Sequence, residues 1–296
     1  MGEIIIRFYR LVPDIPQRYV DNTGIQRYIQ GQTGFYTKSK EKWRVNDYGW
    51  LGTTEVWRDS LFSVIGDSYI ENIMNPIACN QGTLLNSYFK NIGFFEAGRS
   101  GITFIEAMEI TNLLDSTIHP DLHLVYVSSN DFHESISNEY RYTDRMQIDV
   151  AKSTIINGTL RAPGIKKMLY NWKLLYYLYL RFPLFVNAQN KDKHNELPTK
   201  KEEVGFNINN FNLLFRYCVA HYETEKIILV FHPSSDNEII NLVQKYGFKT
   251  ILLNSDGDKR TWSINSNDGH WSCYGHQQVA KQTKSYLVRY LSKRSN

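Results

Sequence analysis

From Leu61 onward, short and almost continuous apolar runs alternate with segments of helical periodicity, and this alternation constrains the fold more than any other feature of the chain. Leu61–Ile65, Ile92–Glu96, Leu122–Val127, Ile227–Phe231 and Thr250–Leu253 read as five strands. They are too apolar to have one face in water, so both faces must be covered, as in parallel sheets built from strand-helix-strand units. Helices are expected near Ile102–Leu114, over about 236–246 with Ile239, Ile240 and Val243 inward, and from Tyr274 to Leu291. In the last of these Val279, Thr283, Tyr286, Leu287, Tyr290 and Leu291 recur at helical spacing. In such folds the functional crevice lies beyond the carboxyl ends of the strands.

Two regions depart from the alternation. Residues 1–57, rich in turn formers and aromatics with strand-like snippets such as Trp43–Val45, read as an irregular N-terminal extension packed on the main domain, 58–296. Residues 136–222 are too many for one crossover and read as a helical insertion. It holds an aromatic, basic helix candidate, Gly164–Phe182, a polar stretch at 187–207 and a second helix at about Ile208–Tyr222. The aromatic helix suits a lid, a membrane-surface contact, a dimer contact or plain packing on the sheet.

Composition excludes several classes. The 296 residues are 42% hydrophobic and 22% charged, which suits one large α/β domain. The net charge of +4 is scattered and accompanies no nucleic-acid motif, so no nucleic-acid partner is expected. The basic stretch Lys191–Lys201 reads as an exposed loop. Leu174–Leu180 with the following FPLFV is too short and interrupted to span a bilayer. No signal-peptide core opens the chain, which points to the cytoplasm, or to an extracytoplasmic site if an anchor precedes it. Three cysteines, Cys79, Cys218 and Cys273, form no complete disulfide framework and match no zinc finger.

Chemistry-bearing residues gather at the strand ends. The first strand stops at Gly66-Asp67-Ser68, the second runs into Gly98 and Gly101, the third ends at Asn130 and Asp131, and Asp268 and His270 precede the last helix. Each type has a use in acyl transfer. Ser68 is the candidate nucleophile, inert without a base. His270 would take and return its proton, and Asp268 would fix the imidazole tautomer. The backbone N–H groups of Ser68 and Gly101 and the amide of Asn130 would form an oxyanion hole. Asp67, Asp131, His232 and Trp271 are candidate substrate contacts.

The ordered blocks Gly-Asp-Ser, Ser-Gly-Ile-Thr, Ser-Ser-Asn-Asp and Asp-Gly-His-Trp resemble those of the SGNH (GDSL-type) serine hydrolases over residues 61–135 and 225–292. The resemblance implies a three-layer α/β/α, flavodoxin-like fold with a mainly parallel five-stranded sheet. It also implies esterase, deacetylase, lipase or acyltransferase activity without a cofactor or metal. Ser128 stands where the usual third block has glycine. A single residue, Gly269, separates Asp268 from His270, and Trp271 follows. That spacing is similar to the Asp-x-His-Trp block of bacterial polysaccharide O-acetyltransferases, and it points to an acyl, chiefly acetyl, ester on a carbohydrate. Hydrolase and transferase stay open, as does the oligomeric state.

Other roles compete for the same residues. Ser68 could cap a helix, which serine favours. His276 rivals His270 as base, though inside the last helix it more naturally caps or packs. His133 and His232 suit turns. Cys273 beside His270 is a rival nucleophile or a small buried thiol. His270, Cys273 and His276, with Asp268, could also hold zinc. The alternative to an enzyme is a non-catalytic carbohydrate-binding or membrane-surface assembly module.

Overall fold

The computed structural model describes residues 1–36, 42–52, 58–182 and 207–294. The Lys191–Lys201 stretch and, apart from Asn207, the polar stretch at 187–207 lie outside these residues.

Five parallel strands form the central sheet: β5 (Ser60–Gly66), β6 (Ile92–Gly98), β7 (Leu122–Val127), β10 (Ile227–Phe231) and β11 (Lys249–Leu252), in the order β11-β10-β7-β5-β6. The second strand in sequence thus sits outside the first, and the chain then proceeds the other way. That reversal opens a crevice at the carboxyl ends of β5 and β7.

Period two along each strand divides the core. Leu61 and Ile65 face one apolar cluster, Phe62 and Val64 the other. The first face is covered by α4 (Phe104–Thr117), α8 (Ile208–His221) and α9 (Asn237–Lys245). The second is covered by α3 (Gln81–Tyr88) and α10 (Cys273–Arg294), whose Val279, Thr283 and Leu287 are fully buried at spacing four. The two layers of helices around the sheet give the expected three-layer α/β/α architecture. Helix α8 belongs to this frame: Phe211, Leu214, Phe215 and Cys218 lie in the first core, so it is a crossover helix of the domain and not part of an insertion.

What remains of the insertion is a hairpin, β8 (Gln147–Asp149) with β9 (Thr154–Ile156), followed by α6 (Pro163–Asn171) and α7 (Lys173–Arg181). The single helix expected at 164–182 is broken at Trp172, which adopts extended backbone between the two. Helix α7 packs on α1 (Gly2–Tyr9), and its Lys173 and Leu174 backbone N–H groups donate to Glu3.

The N-terminal segment is more regular than its composition suggests. Besides α1 it forms two hairpins, β1 (Arg18–Val20) with β2 (Gln26–Tyr28) and β3 (Thr33–Phe35) with β4 (Lys42–Arg44). Ile25 and Trp50 insert into the first core, and Leu51 bridges to Gly98 at the end of β6. The Tyr28 hydroxyl donates to the buried Glu71 carboxylate. Each anchor is long-range, which explains why local sequence gave so little sign of order here.

Candidate active site

The backbone of β5 runs directly into α2 (Ser68–Glu71), and Asp67 is its N-cap, with the carboxylate accepting from the Tyr69 N–H at 3.0 Å. Aspartate takes the capping role that serine could have filled, which leaves the Ser68 hydroxyl free for other chemistry. Its Oγ lies 2.8 Å from Nε2 of His270. On the other side of the ring, Nδ1 lies 2.6 Å from Oδ1 of Asp268.

The order of donors follows from this geometry. A carboxylate only accepts, so Nδ1 carries the proton and donates it to Asp268. Nε2 is then the lone-pair nitrogen and accepts from the Ser68 hydroxyl, as a general base must. The His270 backbone N–H donates to the same Oδ1 at 3.1 Å, which fixes the carboxylate. The hydrogen bond from the His270 side chain holds the Asp268 carboxyl below its ordinary range, so it stays ionised as pH falls through that range.

A short strand presents the pair. β13 (Asp268–Trp271) pairs antiparallel with β12 (Ser263–Asn265). Side chains two apart on a strand share a face, so Asp268 and His270 meet without a turn at Gly269. Trp271 points the opposite way and is buried. Its indole stacks on His232 with ring centres 5.5 Å apart and lies 4.8 Å from Tyr69, whose ring is 5.2 Å from that of His270. Trp271 is therefore a support under the site, which corrects its expected role as a substrate contact.

The other expected contacts divide similarly. Asp131 is buried in a capping box at the start of α5 (Ser129–Ser135), where its carboxylate accepts from the Ser128 N–H at 2.6 Å and from the Ser128 hydroxyl at 3.0 Å. Burial first, and the nearby Asp67 next, raise its carboxyl well above the ordinary range. Burial likewise raises that of Asp67. These two carboxyls hold the turns that carry Ser68 and Asn130, and the burial of Asp131 closes it to substrate, which corrects its expected role as a contact, while Asp67 is half-buried. His232 stays at the crevice: its Nδ1 accepts from the Ser234 N–H at 3.2 Å, and burial lowers its pKa to about 4. It is a neutral imidazole beside the site.

The expected hole donors fall at the same edge. Asn130 is the second residue of α5 and its amide is exposed. Gly101 follows β6 with φ +79°, a left-handed conformation that glycine adopts without strain. A Cβ there would meet only Arg145 Nε, at 3.7 Å, so the space over its backbone is open.

The rivals of the triad lose their case. Cys273 is bonded to Cys79, 194 residues away, so it is neither a nucleophile nor a thiol ligand. The remaining thiol, Cys218, is buried. His276 is buried, 3.0 Å through Nδ1 from Gln81 Nε2, and its pKa is lowered to about 3 by burial. His133 pairs with Glu139 at 2.9 Å. Among the described residues no group of three or more His, Cys, Asp or Glu is arranged to hold a metal. A second Ser-His-Asp chain does exist: Ser63 Oγ is 2.7 Å from His123 Nδ1, and His123 Nε2 is 3.2 Å from Asp115. Ser63 and His123 are both 0% exposed on neighbouring strands, so this chain lies inside the sheet and has no access to a substrate.

Sequence reasoning missed Tyr69, Asn75 and the disulfide. Asn75 donates through Nδ2 to the Trp271 carbonyl at 2.8 Å, and the Cys79–Cys273 bond ties the same strand end to the segment after α2. Two cysteines 194 residues apart carry no local spacing signal, so nothing short of the fold pairs them.

No family model and no curated protein matches the chain. Solved structures do, at low identity. The esterase EstA from Pseudoalteromonas sp. is 10% identical, with 79% of this chain and 100% of that one covered and a TM-score of 0.43. A member of the lipolytic protein G-D-S-L family from Veillonella parvula is 9% identical over 78% and 99%, with a TM-score of 0.37. A family 3 carbohydrate esterase from Clostridium thermocellum is 16% identical over 80% and 99%, with a TM-score of 0.41. Likenesses this remote assign no chemistry, which stands on the distances above.

Proposed function

We propose that the chain is a serine esterase or acyltransferase acting on an acyl, chiefly acetyl, ester of a carbohydrate. The observation that carries this is the continuous hydrogen-bonded relay from Ser68 Oγ through His270 to Asp268 at the carboxyl edge of the sheet. Ser68 Oγ attacks the ester carbonyl while Nε2 of His270 takes its proton. Asp268 stabilises the imidazolium that forms. The backbone N–H groups of Ser68 and Gly101 and the Asn130 amide receive the oxyanion. The imidazolium then protonates the departing sugar oxygen, leaving an acyl-serine. Water or a second sugar hydroxyl, deprotonated by His270, releases the acyl group. The carbohydrate part rests on the Asp268-Gly269-His270-Trp271 block and its resemblance. The disulfide supports a location in an oxidising compartment, since such bonds seldom persist in a reducing cytosol.

Incubation with p-nitrophenyl acetate and a fluorophosphonate probe tests the chemistry. The expected result is turnover with probe attachment at Ser68, and loss of both by several orders of magnitude in Ser68→Ala with the fold retained. Wild-type turnover in that variant, or no labelling of the intact protein, sinks the assignment and leaves a binding module.

One observation favours membrane-surface attachment in addition. Ile4, Phe8 and Tyr9 on α1 and Ile165, Trp172 and Leu180 on and between α6 and α7 are exposed. Of the charged residues of these three helices, Arg7 is paired with Glu3 and Lys173 is buried against Asp14, which leaves Lys166, Lys167 and Arg181 as exposed cations. Apolar and aromatic side chains rimmed by cations suit an anionic lipid surface, with the helices lying in its plane. No helix among the described residues is long and apolar enough to cross a membrane. Co-sedimentation with phosphatidylglycerol vesicles that is absent with phosphatidylcholine, and lost in Phe8→Glu, is the expected outcome. No binding to either, or a dimer that the same substitution dissolves, refutes it.

A further inference from the structure

A cavity of about 210 Å³ lies between the N-terminal segment, which contributes Gln17, Arg18 and Gln26, and the start of α6 with the loop before it. None of the residues assigned to acyl chemistry lines it. Four cationic side chains do, Arg18, Arg161, Lys166 and Lys167, against one carboxylate, Asp144. That carboxylate is engaged by Arg161 at 3.2 Å. Arg18 reaches a neutral partner, donating to the Tyr28 hydroxyl at 3.2 Å. Lys166 and Lys167 take part in no ion pair among the described residues. Burial, and then the like charge of Arg18, hold the Lys166 ammonium below the ordinary lysine range. Cations gathered in a partly desolvated space repel one another, and an anion placed among them turns repulsion into attraction.

The helix that closes the cavity agrees with this. Pro163, the first residue of α6, lines it. The N-cap is Ala162, whose side chain cannot accept from the first N–H groups, and the first turn holds no acid. Lys166 and Lys167 follow within two turns, so positive side chains crowd the positive end of the helix dipole. That is the reverse of the stabilising arrangement. Gln17, Gln26 and Thr159 add neutral hydrogen-bonding groups to the wall, and Tyr170 adds an aromatic ring. The chain links the cavity to the proposed hole. Asp144 directly precedes Arg145, whose Nε sits 3.7 Å from where a Cβ on Gly101 would lie.

We propose that this cavity holds an anionic group, carboxylate or phosphate, of the glycan whose acyl ester reaches Ser68. The inference deepens the esterase reading and rests on it for the identity of the substrate, though anion binding is measured separately from turnover.

Isothermal titration of the full chain with D-glucuronate, glycerol 1-phosphate and D-glucose tests it. At least one anionic probe is expected to bind about tenfold or more tighter than glucose, the scale of one charge-assisted hydrogen bond. Binding should weaken as salt rises. Preference for glucuronate marks a uronic-acid glycan, and preference for glycerol phosphate a phosphorylated one. Lys166→Glu and, separately, Arg161→Glu should each remove the preference, while Met168→Ala on the same helix keeps it. Circular dichroism and the melting temperature show whether each variant is folded. Equal affinity for all three probes, or a preference that survives both charge reversals, overturns the proposal. Wild-type turnover of p-nitrophenyl acetate reads the triad independently. Turnover without anion preference removes this inference alone, whereas anion preference without turnover removes the esterase reading.

Discussion

His270 and His276 are six residues apart, and which of them acts is decided by what each ring faces. His270 meets a serine oxygen on one side and a carboxylate on the other, in a partly open crevice. His276 meets a glutamine amide in the core. His270→Gln is therefore expected to abolish p-nitrophenyl acetate turnover, and His276→Gln to keep it within about tenfold, a change in rate that corresponds to about 1.4 kcal/mol of barrier. A reversed pattern would exchange the two assignments. Asn130 presents an exposed amide at the third strand's end. A donor used only as negative charge develops lowers the barrier without tightening the ground state. Asn130→Ala should lower kcat by about 100- to 1,000-fold with KM little changed. A large rise in KM at unchanged kcat would make Asn130 a ground-state contact instead.

At the scale of elements, the strand that carries Asp268 and His270 has only a short partner strand of its own. Its position depends on what ties it down: Asn75 on the Trp271 carbonyl, the Tyr69–Trp271–His232 rings, and the disulfide at the first residue of α10. A cross-link spanning 194 residues restricts the unfolded chain strongly, on the order of 5 kcal/mol in the chain-entropy estimate. Thiol titration in denaturant should find one reactive cysteine, Cys218, without reductant, and all three after reduction. Reduction should lower the urea midpoint and kcat together, since the same bond secures both the fold and the strand bearing the base. An unchanged midpoint would show that the bond contributes nothing.

Across the whole molecule, buried imidazoles make stability depend on pH. His232 and His276 have folded pKa values lowered to about 4 and about 3 from 6.5, because burial disfavours the charged ring. Below 6.5 the unfolded chain takes up protons that the folded one refuses. Their contribution is thus complete above about pH 6.5 and falls on acidification toward pH 4 for His232 and pH 3 for His276. At pH 5 the loss is about 2 kcal/mol for each ring. Burial raises the carboxyls of Asp67, Asp131 and Glu71, which titrate in the opposite sense. The clean measurement is the difference between the wild type and His276→Gln in urea denaturation at pH 7 and pH 5. A smaller pH dependence in the variant is expected, and an equal one would count against the imidazole as its source.

Local sequence by itself determined the parallel sheet and the edge on which its chemistry gathers. Continuous apolar runs require two covering layers, and Gly66-Asp67-Ser68, Gly101 and Asn130 fall where strands end, while the Asp268–His270 pair directly precedes the last helix. Those signals are local in period and in residue type, so they survive without a structure. The N-terminal hairpins, the burial of Trp271 and the break at Trp172 were not legible, because each depends on what packs against the residue. The same holds for the disulfide that disqualified Cys273: two thiols with 194 residues between them become neighbours only when the strands and helices around them are in place. The tertiary structure alone decided which of the many polar groups at the sheet edge touch each other, since hydrogen bonds such as that between Ser68 and His270 act over about 3 Å and chain separation carries no information at that range.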